Sequence, residues 1–358
     1  MPVSLAADPF SFDLPEQHIA LRPAQPREAG RLLCVQPGRA LADHRIADFP
    51  AFLRPGDALV LNESWVMRAA LAGWRCARAG GQEIPVRCNL LARLGPACWA
   101  ALARPGKRLK IGDALQFGPL LRAEILHKDG AQLHLGFDSA GEALDYAIDA
   151  VGQAPLPPYI AGRRPADAQD LTDYQTIYAN RGGLHASVAA PTAGLHLTPP
   201  LLQALRAQEV DIIRISLGVG AGTFLPITEE NLADHRMHGE PFCVSPGAAD
   251  AINAARAGGG RIIALGTTTL RALESCHWKE GKIQPAQGET RIFLRPGCSF
   301  RSADMLMTNF HLPRSTLFML VCAFAGTPVM QAAYAHAIAA DYRFYSYGDA
   351  SLLWRSDG

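Results

Sequence analysis

The sequence TNFHLPRSTLFMLVCAFAG, residues 308–326, joins a polar segment to an uninterrupted apolar run. Pro313 fixes its own φ and disfavours helix in the residue before it, whereas Ser315 or Thr316 can cap a helix that follows. Residues 317–324 have no polar face, which is typical of a core helix. The polar residues ahead of it are Asn309, His311, Arg314 and Ser315. The pattern fits either a loop of catalytic residues that a buried helix anchors, or an ordinary surface loop ahead of a core helix.

Length and composition place the chain among ordinary globular proteins. It has 358 residues, enough for about two domains, with 49% hydrophobic and 19% charged residues. The net charge of +1 neither requires nor excludes a nucleic-acid partner. Eight scattered cysteines without a C-x-x-C pair predict reduced thiols in a cytoplasmic enzyme. Asp8 and Asp13 argue against a secretory signal, and no apolar stretch reaches the ~18 residues of a membrane span.

The organisation changes along the chain. Between residues 59 and 138, short apolar runs alternate with turn signals, which predicts a small antiparallel sheet or barrel. The proline-rich residues 154–160 mark a boundary. Beyond it, helices alternate with buried strands, which indicates an α/β layer. The predicted elements there are a helix started by Thr198, a strand at 210–217, a helix ended by Gly258, a strand at 261–265 and a helix over 267–276.

A glycine-rich turn follows the strand at 210–217, where SLGVGAGTFLPI places Gly218, Gly220 and Gly222 at alternate positions. Such glycines let the backbone approach a ligand and present N–H groups. The spacing is not a dinucleotide fingerprint, so a nucleoside-like ligand is favoured over a pyrophosphate. The alternative is a bulged strand or tight turn without a ligand.

A second turn, GTTTLRALES at residues 266–275, lies between a predicted strand and helix. The helix N-terminus offers unpaired N–H groups, and three threonines add hydroxyls for a ribose, carboxylate or phosphate. The alternative is that one threonine is only the N-cap and that Arg271 pairs with Glu274 on the surface.

His235, His238 and Glu240 lie together in HRMHGE. The spacing is not the H-E-x-x-H of helical zinc sites, so we predict no metal. A histidine of near-neutral pKa for proton transfer, oriented by the carboxylate, fits better; a solvated loop is the alternative.

The aromatic segment DYRFYSYGDASLL, residues 341–353, fits either stacking on a base or a strand that closes the core, and composition favours the core. Basic clusters at 104–110 and 162–164 fit phosphate contacts or solvated turns.

Several motifs occur in an order that closely resembles the S-adenosylmethionine:tRNA ribosyltransferase-isomerase family of queuosine biosynthesis. They are PTAGLHLT, VGAGTF, HRMHGE, GTTTLRALES, the opening run and FYSYGDASLL, preceded by FDLPEQHIA, RPGDALVLN, ARPGKRLKIGD and LPPYI. The resemblance covers essentially the whole chain.

This resemblance implies transfer and isomerisation of the ribosyl moiety of S-adenosylmethionine onto 7-aminomethyl-7-deazaguanine at the tRNA wobble position. Adenine and methionine are released and epoxyqueuosine-tRNA is formed. The chemistry needs a base, an acid and exclusion of water, with no metal or redox cofactor, because S-adenosylmethionine is consumed as substrate. The implied partners are S-adenosylmethionine and a tRNA anticodon stem-loop, with no membrane, and the chain is a monomer or a homodimer.

The resemblance also implies the fold, a larger discontinuous α/β barrel-like domain at residues 1–68 and 152–358 with a small antiparallel β-barrel inserted at 69–151. The implied catalytic residues are His196, His235, His238, Glu240, Asn309 and His311. The implied S-adenosylmethionine-binding residues are Gly220, Gly222, Thr223, Thr267, Thr268 and Arg271. The implied tRNA-binding residues are Arg27, Arg31, Lys107 and Arg314.

The chain departs from the family pattern at several positions. Trp65 and Ala70 stand where the family has arginines, Arg68 replaces a proline and Gly218 replaces a histidine. These departures motivate one alternative, a diverged paralogue that donates the ribosyl group to a different amine. A non-catalytic RNA-binding protein that retains the fold is a further alternative.

Overall fold

A computed structural model gives the fold of residues 8–79, 81–130, 132–183, 186–220 and 237–356. All eight cysteines lie in these ranges and all are free thiols, as the scattered pattern predicts. The predicted site residues Gly222, Thr223 and His235 lie outside the described residues.

Helices and strands alternate in the second half, whereas the first half is mostly strands. The described strands are β1 Arg31–Val35, β2 Ala42–Arg45, β3 Ala58–Asn62, β4 Trp65–Val66, β5 Ala70–Arg75, β6 Ile84–Gly95, β7 Cys98–Arg104, β8 Ala114–Phe117, β9 Leu121–Asp129, β10 Gln132–Phe137, β11 Ala186–Ser187, β12 Asp211–Leu217, β13 Glu240–Val244, β14 Ile262–Leu265, β15 Trp278–Lys279, β16 Lys282–Ile283, β17 Ala286–Thr290, β18 Met305–Asn309 and β19 Ala350–Trp354. The described α-helices are α1 Gly141–Val151, α2 Pro158–Ala161, α3 Asp170–Asp173, α4 Pro199–Ala207, α5 Pro246–Ala257, α6 Thr267–Glu274, α7 Thr316–Ala325 and α8 Thr327–Ala339. Short 3₁₀ turns cover Glu16–His18, Arg27–Ala29, Ile46–Phe52, Gly106–Arg108 and Thr192–His196.

A mixed sheet forms the centre of the molecule. Within the described residues its nine strands run in the order β17, β13, β12, β3, β14, β18, β19, β1 and β2. The strands β12, β3, β14 and β18 pair in parallel. β3 is buried at every position, as a parallel strand covered on both faces must be. The carboxyl ends of these four strands therefore meet at one edge of the sheet, where ligands bind in open α/β sheets.

A second sheet closes on itself. Its six strands form a barrel in the order β10, β7, β6, β5, β8 and β9. Along β6, Val86 and Cys88 point into the barrel and are buried, while Arg87 between them is exposed, as the two-residue period of a strand requires. A Cβ at Gly73 of β5 would lie 2.0 Å from the carbonyl oxygen of Gln116 in β8, so this close crossing needs a glycine.

The mixed α/β fold with a small antiparallel barrel confirms the predicted fold class. The barrel strands run from Ala70 to Phe137, inside the range 69–151 that we predict for the inserted domain. The boundaries of that domain, and of the larger domain at 1–68 and 152–358, stay predictions.

The helix predicted from the opening run is present as α7. The Ser315 hydroxyl accepts a hydrogen bond from the Phe318 N–H at 3.1 Å and so caps the helix N-terminus. Most of α7 is buried, including Phe318, Val321 and Phe324, so the prediction of a core helix is confirmed. The predictions at 198, 210–217, 258, 261–265 and 267–276 are likewise confirmed by α4, β12, α5, β14 and α6.

No single helix among the described residues is long and apolar enough to cross a membrane. The consecutive helices α7 and α8 meet the length and composition of a span only when taken as a pair, and that pair is bent by 116°.

Candidate functional site

A pocket opens at the carboxyl ends of the parallel strands. It encloses about 690 Å³ of empty space, part of it open solvent. β14 and β18 end side by side, with Leu265 opposite Met307, so the turn after β14 and the loop after β18 meet there. The lining residues are Tyr159, Ala190, Pro191, Thr192, Ala193, Val219, Gly266, Thr267, Thr268, Thr308, Asn309, Phe310, His311, Leu312, Ser315, Leu317, Tyr345 and Ser346.

The turn before α6 needs a glycine. Gly266 has φ +87°, in the left-handed region that side chains disfavour, and a Cβ there would meet the Ala193 methyl at 3.3 Å. This turn starts α6 at the pocket, so that Thr267 and Thr268 from its first turn line the cavity. The helix N-terminus thus presents unpaired N–H groups to whatever occupies the pocket.

Asn309, at the end of β18, ties three distant parts of the chain together. Its Nδ2 donates to the carbonyl oxygen of Tyr345 at 3.1 Å and lies 3.1 Å from Nε2 of His196. All three side chains are buried. Burial, with the positive charges of Arg343 and Arg27, lowers the pKa of His196 to about 3, so its ring is neutral at pH 7.

His311 lies two residues beyond β18 and is also buried. Its Nε2 is 3.1 Å from the Thr308 hydroxyl, and its backbone N–H donates to the Tyr334 hydroxyl at 2.9 Å. Burial lowers the pKa of His311 to about 3. A neutral imidazole can accept a proton, but at neutral pH it has no second proton to donate as an acid.

Two polar atoms at this pocket have no hydrogen-bond partner among the described residues. They are the Oδ1 of Asn309 and the Oγ1 of Thr268, and both are buried. An unpartnered buried polar group costs about 1–3 kcal/mol, so such atoms are rare in a folded protein. Since both residues line the pocket, these atoms are suited to bonds with a ligand.

Arg271, which lies in α6, forms an ion pair with Glu240 of β13. The two side chains are only 4% and 5% exposed. The alternative reading of the threonine turn is therefore wrong in both parts. Arg271 is buried and pairs with Glu240, and Gly266 takes the N-cap position. The carboxylate of Glu274 instead accepts hydrogen bonds from the backbone of residues 301 and 302.

The glycine turn also reaches this ion pair. The N–H of Gly220 lies 3.4 Å from Oε1 of Glu240, and Val219 lines the pocket. His238 is exposed and lines neither this pocket nor the smaller one beside it. The structure thus brings Glu240 and Gly220 together behind the pocket, while His238 stays at the surface.

A smaller pocket with about 250 Å³ of empty space, part of it open solvent, adjoins the first, and the two share Ser346. Its lining residues are Pro23, Ala24, Arg27, Gly30, Leu195, His196, Arg343, Ser346, Tyr347 and Gly348.

The four arginines and lysines predicted to bind tRNA lie in different environments. The guanidinium of Arg27 donates to the carbonyl oxygens of residues 172, 173, 175 and 195. Arg31 stacks over the Tyr342 ring at 3.8 Å and pairs with Asp43. Lys107 is exposed on the barrel, and Arg314 is 61% exposed with Asp8 at 3.3 Å. Their role in RNA binding stays a prediction.

Sequence reasoning alone did not assign several residues that line the larger pocket. Tyr159 and Tyr345 bring their ring centroids to 4.7 Å, and the Tyr159 hydroxyl accepts a hydrogen bond from the Ser346 N–H at 3.0 Å. The interleaved aromatic residues of 341–353 were the available signal for Tyr345 and Ser346. Most of that segment is buried, which agrees with the core interpretation, and Tyr345 and Ser346 line the pocket; stacking on a base stays a prediction.

The profile of the family described as "Queuosine biosynthesis protein" matches residues 7–353. The chain belongs to the queuosine biosynthesis protein family. A relative from Methylobacterium sp. (strain 4-46), named S-adenosylmethionine:tRNA ribosyltransferase-isomerase, is 54% identical to this family member over 99% of the chain and 100% of the relative. A protein of the same name from Caulobacter vibrioides is also 54% identical, over 97% of this chain and 98% of its own.

The fold of this family member is also found in a solved structure. The crystal structure of S-adenosylmethionine tRNA ribosyltransferase from Thermotoga maritima matches with a TM-score of 0.54 and 31% identity, covering 96% of this chain and 99% of that one. The resemblance predicted from the ordered motifs is therefore confirmed over nearly the full chain.

Proposed function

We propose that this protein is an S-adenosylmethionine:tRNA ribosyltransferase-isomerase of queuosine biosynthesis. It transfers and isomerises the ribosyl moiety of S-adenosylmethionine onto 7-aminomethyl-7-deazaguanine at the tRNA wobble position, with release of adenine and methionine. Full-length relatives at 54% identity carry this name. Such identity over almost the whole chain favours this acceptor over a different amine, and favours an enzyme over a non-catalytic relative.

The donor nucleoside binds in the larger pocket. The observation that carries this assignment is the pair of buried atoms, Thr268 Oγ1 and Asn309 Oδ1, that have no partner among the described residues and belong to the lining of one cavity. A hydroxyl and an amide oxygen suit the polar edges of a ribose or an adenine. The rings of Tyr159 and Tyr345 in the same lining offer negative π-faces to a sulfonium cation.

Proton transfer falls to His311. Burial keeps the ring neutral, so a ring nitrogen has a lone pair that can take the proton from the carbon beside the sulfonium, and the ring holds no extra proton to donate. The Thr308 hydroxyl, 3.1 Å from Nε2, holds the ring in place. Glu240 is engaged with Arg271, so we assign it the support of α6 and the glycine turn instead of proton transfer.

The reaction as proposed needs no metal or redox cofactor, because S-adenosylmethionine is consumed as substrate and supplies both leaving groups, adenine and methionine. The protein works in the cytoplasm, where its tRNA substrate is made and where eight free thiols stay reduced. The basic residues Arg27, Arg31, Lys107 and Arg314 remain our candidates for contacts with the anticodon stem-loop.

Adenine release tests the function. Purified protein is mixed with S-adenosylmethionine and tRNA that carries 7-aminomethyl-7-deazaguanine, with unmodified tRNA, free deazaguanine base and small amines as parallel samples. We expect adenine only with the modified tRNA. Release with a small amine instead would identify the diverged paralogue, and no release from any sample would overturn the transferase assignment.

A further inference from the structure

The smaller pocket meets the larger one at a wall made by Asn309 and His196. Asn309 lines the larger pocket, His196 lines the smaller one, and their side chains touch at 3.1 Å. His196 is 6% exposed. The two cavities are thus neighbouring compartments, divided by these two side chains and sharing Ser346 in their linings.

The hydrogen bonds of Asn309 fix the tautomer of His196. The Tyr345 carbonyl oxygen can only accept, so the atom of Asn309 that faces it must be the donor Nδ2. The same Nδ2 faces Nε2 of His196, which must therefore accept with its lone pair. Because the ring is neutral, its single proton lies on Nδ1.

Among the described residues, the His196 ring makes one hydrogen bond, at Nε2. His196 lines the smaller pocket, so its Nδ1–H is available to a ligand there. Arg27 and Arg343 line the same pocket and lie close enough to depress the protonation of His196.

The two arginines contribute differently to this pocket. Arg27 uses its N–H groups on backbone carbonyls, so it supplies charge, which Asp173 at 3.9 Å offsets in part. The guanidinium of Arg343 makes only long contacts with the described residues, 3.4 Å to the Arg22 carbonyl and 3.5 Å to Asp349, and so keeps donor capacity. None of the described residues that line this pocket is acidic.

We propose that the smaller pocket is an oxyanion subsite, in which His196 Nδ1–H and Arg343 bind the carboxylate of the amino-acid arm of the donor. The inference rests on the proposed function, since it takes S-adenosylmethionine as the ligand of the adjoining pocket. His196 is then a substrate-binding donor and not a proton-transfer group. The amino-acid arm of the donor would pass Ser346, which lines both pockets. The sulfonium would remain in the larger pocket, whose described lining contains no Asp, Glu, Lys or Arg.

Two variants of His196 separate its two nitrogens. In His196→Asn the side-chain amide nitrogen can take the position of Nδ1 and keep the donor. In His196→Gln the amide oxygen can take the position of Nε2 and keep the bond from Asn309, while the Nδ1 donor is lost. Calorimetry of each variant uses two stable ligands, S-adenosylhomocysteine and 5′-methylthioadenosine, because only the first carries the amino-acid arm. Thermal unfolding of both variants confirms that they are folded.

The proposal predicts that His196→Gln weakens S-adenosylhomocysteine binding at least about tenfold, because a hydrogen bond to a charged carboxylate is lost. The affinity for 5′-methylthioadenosine should stay within about twofold of that of the unaltered protein. His196→Asn should retain most of the preference for S-adenosylhomocysteine. Equal loss of both ligands in His196→Gln, or no loss of either, would overturn it.

An RNA phosphate is the other source of an oxyanion, so tRNA binding is measured in parallel. Weaker tRNA binding by His196→Gln with an unchanged preference for S-adenosylhomocysteine would assign the pocket to a phosphate and overturn the proposal. Adenine release by the unaltered protein is scored separately. If the unaltered protein releases adenine but His196→Gln shows no selective loss of S-adenosylhomocysteine binding, only the subsite assignment fails. The proposed function then stands.

Discussion

Arg271 of α6 and Glu240 of β13 form an ion pair that is almost completely shielded from water, with side chains 4% and 5% exposed. The pair links α6, whose N-terminus lines the larger pocket, to β13. Glu240 of β13 also accepts a hydrogen bond from the Gly220 N–H in the glycine turn. Neither residue lines the larger pocket, so the pair is placed to support the pocket walls.

Removing either partner should destabilise the protein strongly. Arg271→Met or Glu240→Gln leaves a buried charge unpaired, and we expect each to lower the free energy of unfolding by about 3–5 kcal/mol in urea titrations. The double variant Arg271→Met/Glu240→Leu removes both charges and should recover much of that loss. The control is Arg291→Ala, whose pair with Glu289 is 70% and 54% exposed and which should change stability by less than about 1 kcal/mol. Single variants as stable as this control would contradict a structural ion pair.

The free hydroxyl of Thr268 should matter for binding and not for folding. Thr268→Val keeps the shape of the side chain but removes Oγ1, and we expect a fivefold to tenfold weaker affinity for S-adenosylhomocysteine, about 1 kcal/mol. Calorimetry measures it. Thr198→Val is the matched control, because its Oγ1 is also buried and unpartnered among the described residues but lines neither pocket. Equal effects of the two substitutions would remove Thr268 from the donor site.

Loss of the His311 ring should abolish most turnover while the protein stays folded. If His311 transfers a proton, His311→Ala lowers the rate of adenine release at least about 100-fold at saturating donor. Thr308→Val should give a smaller loss that Thr308→Ser reverses, because the serine keeps the hydroxyl. The surface variant His336→Ala, at a side chain 35% exposed, should behave like the unaltered protein. Near-normal turnover in His311→Ala would exclude this residue from the chemistry.

Local signals in the sequence were enough for most single elements. The Ser315 cap and the apolar run over 317–324 specify α7 within their own few residues, and the strand β12 was visible for the same reason. The barrel followed from short runs and turn signals, since alternation and tight turns are local features.

The pairings within the site depend instead on topology. Asn309 meets His196 across 113 positions of sequence, and Arg271 meets Glu240 across 31. These contacts follow from which strands become neighbours in the large sheet, and no local pattern encodes that order. The low pKa values of His196 and His311 cannot be read from local sequence for the same reason, because burial by distant segments sets them.

Those depressed pKa values predict a loss of stability in mild acid. His196 and His311 have pKa values of about 3 in the folded protein against 6.5 ordinarily, so the unfolded chain takes up protons first as the pH falls. Their contribution is therefore complete above pH 6.5 and is lost progressively towards pH 3. At pH 5 each histidine should lower the free energy of unfolding by about 2 kcal/mol relative to pH 7.5. Urea titrations between pH 7.5 and pH 5, where carboxylates stay ionised, measure how the free energy of unfolding changes with pH. In the double variant His196→Gln/His311→Gln, the loss over this range should be smaller by about 4 kcal/mol. An identical slope in both proteins would show that these rings are not held neutral by burial.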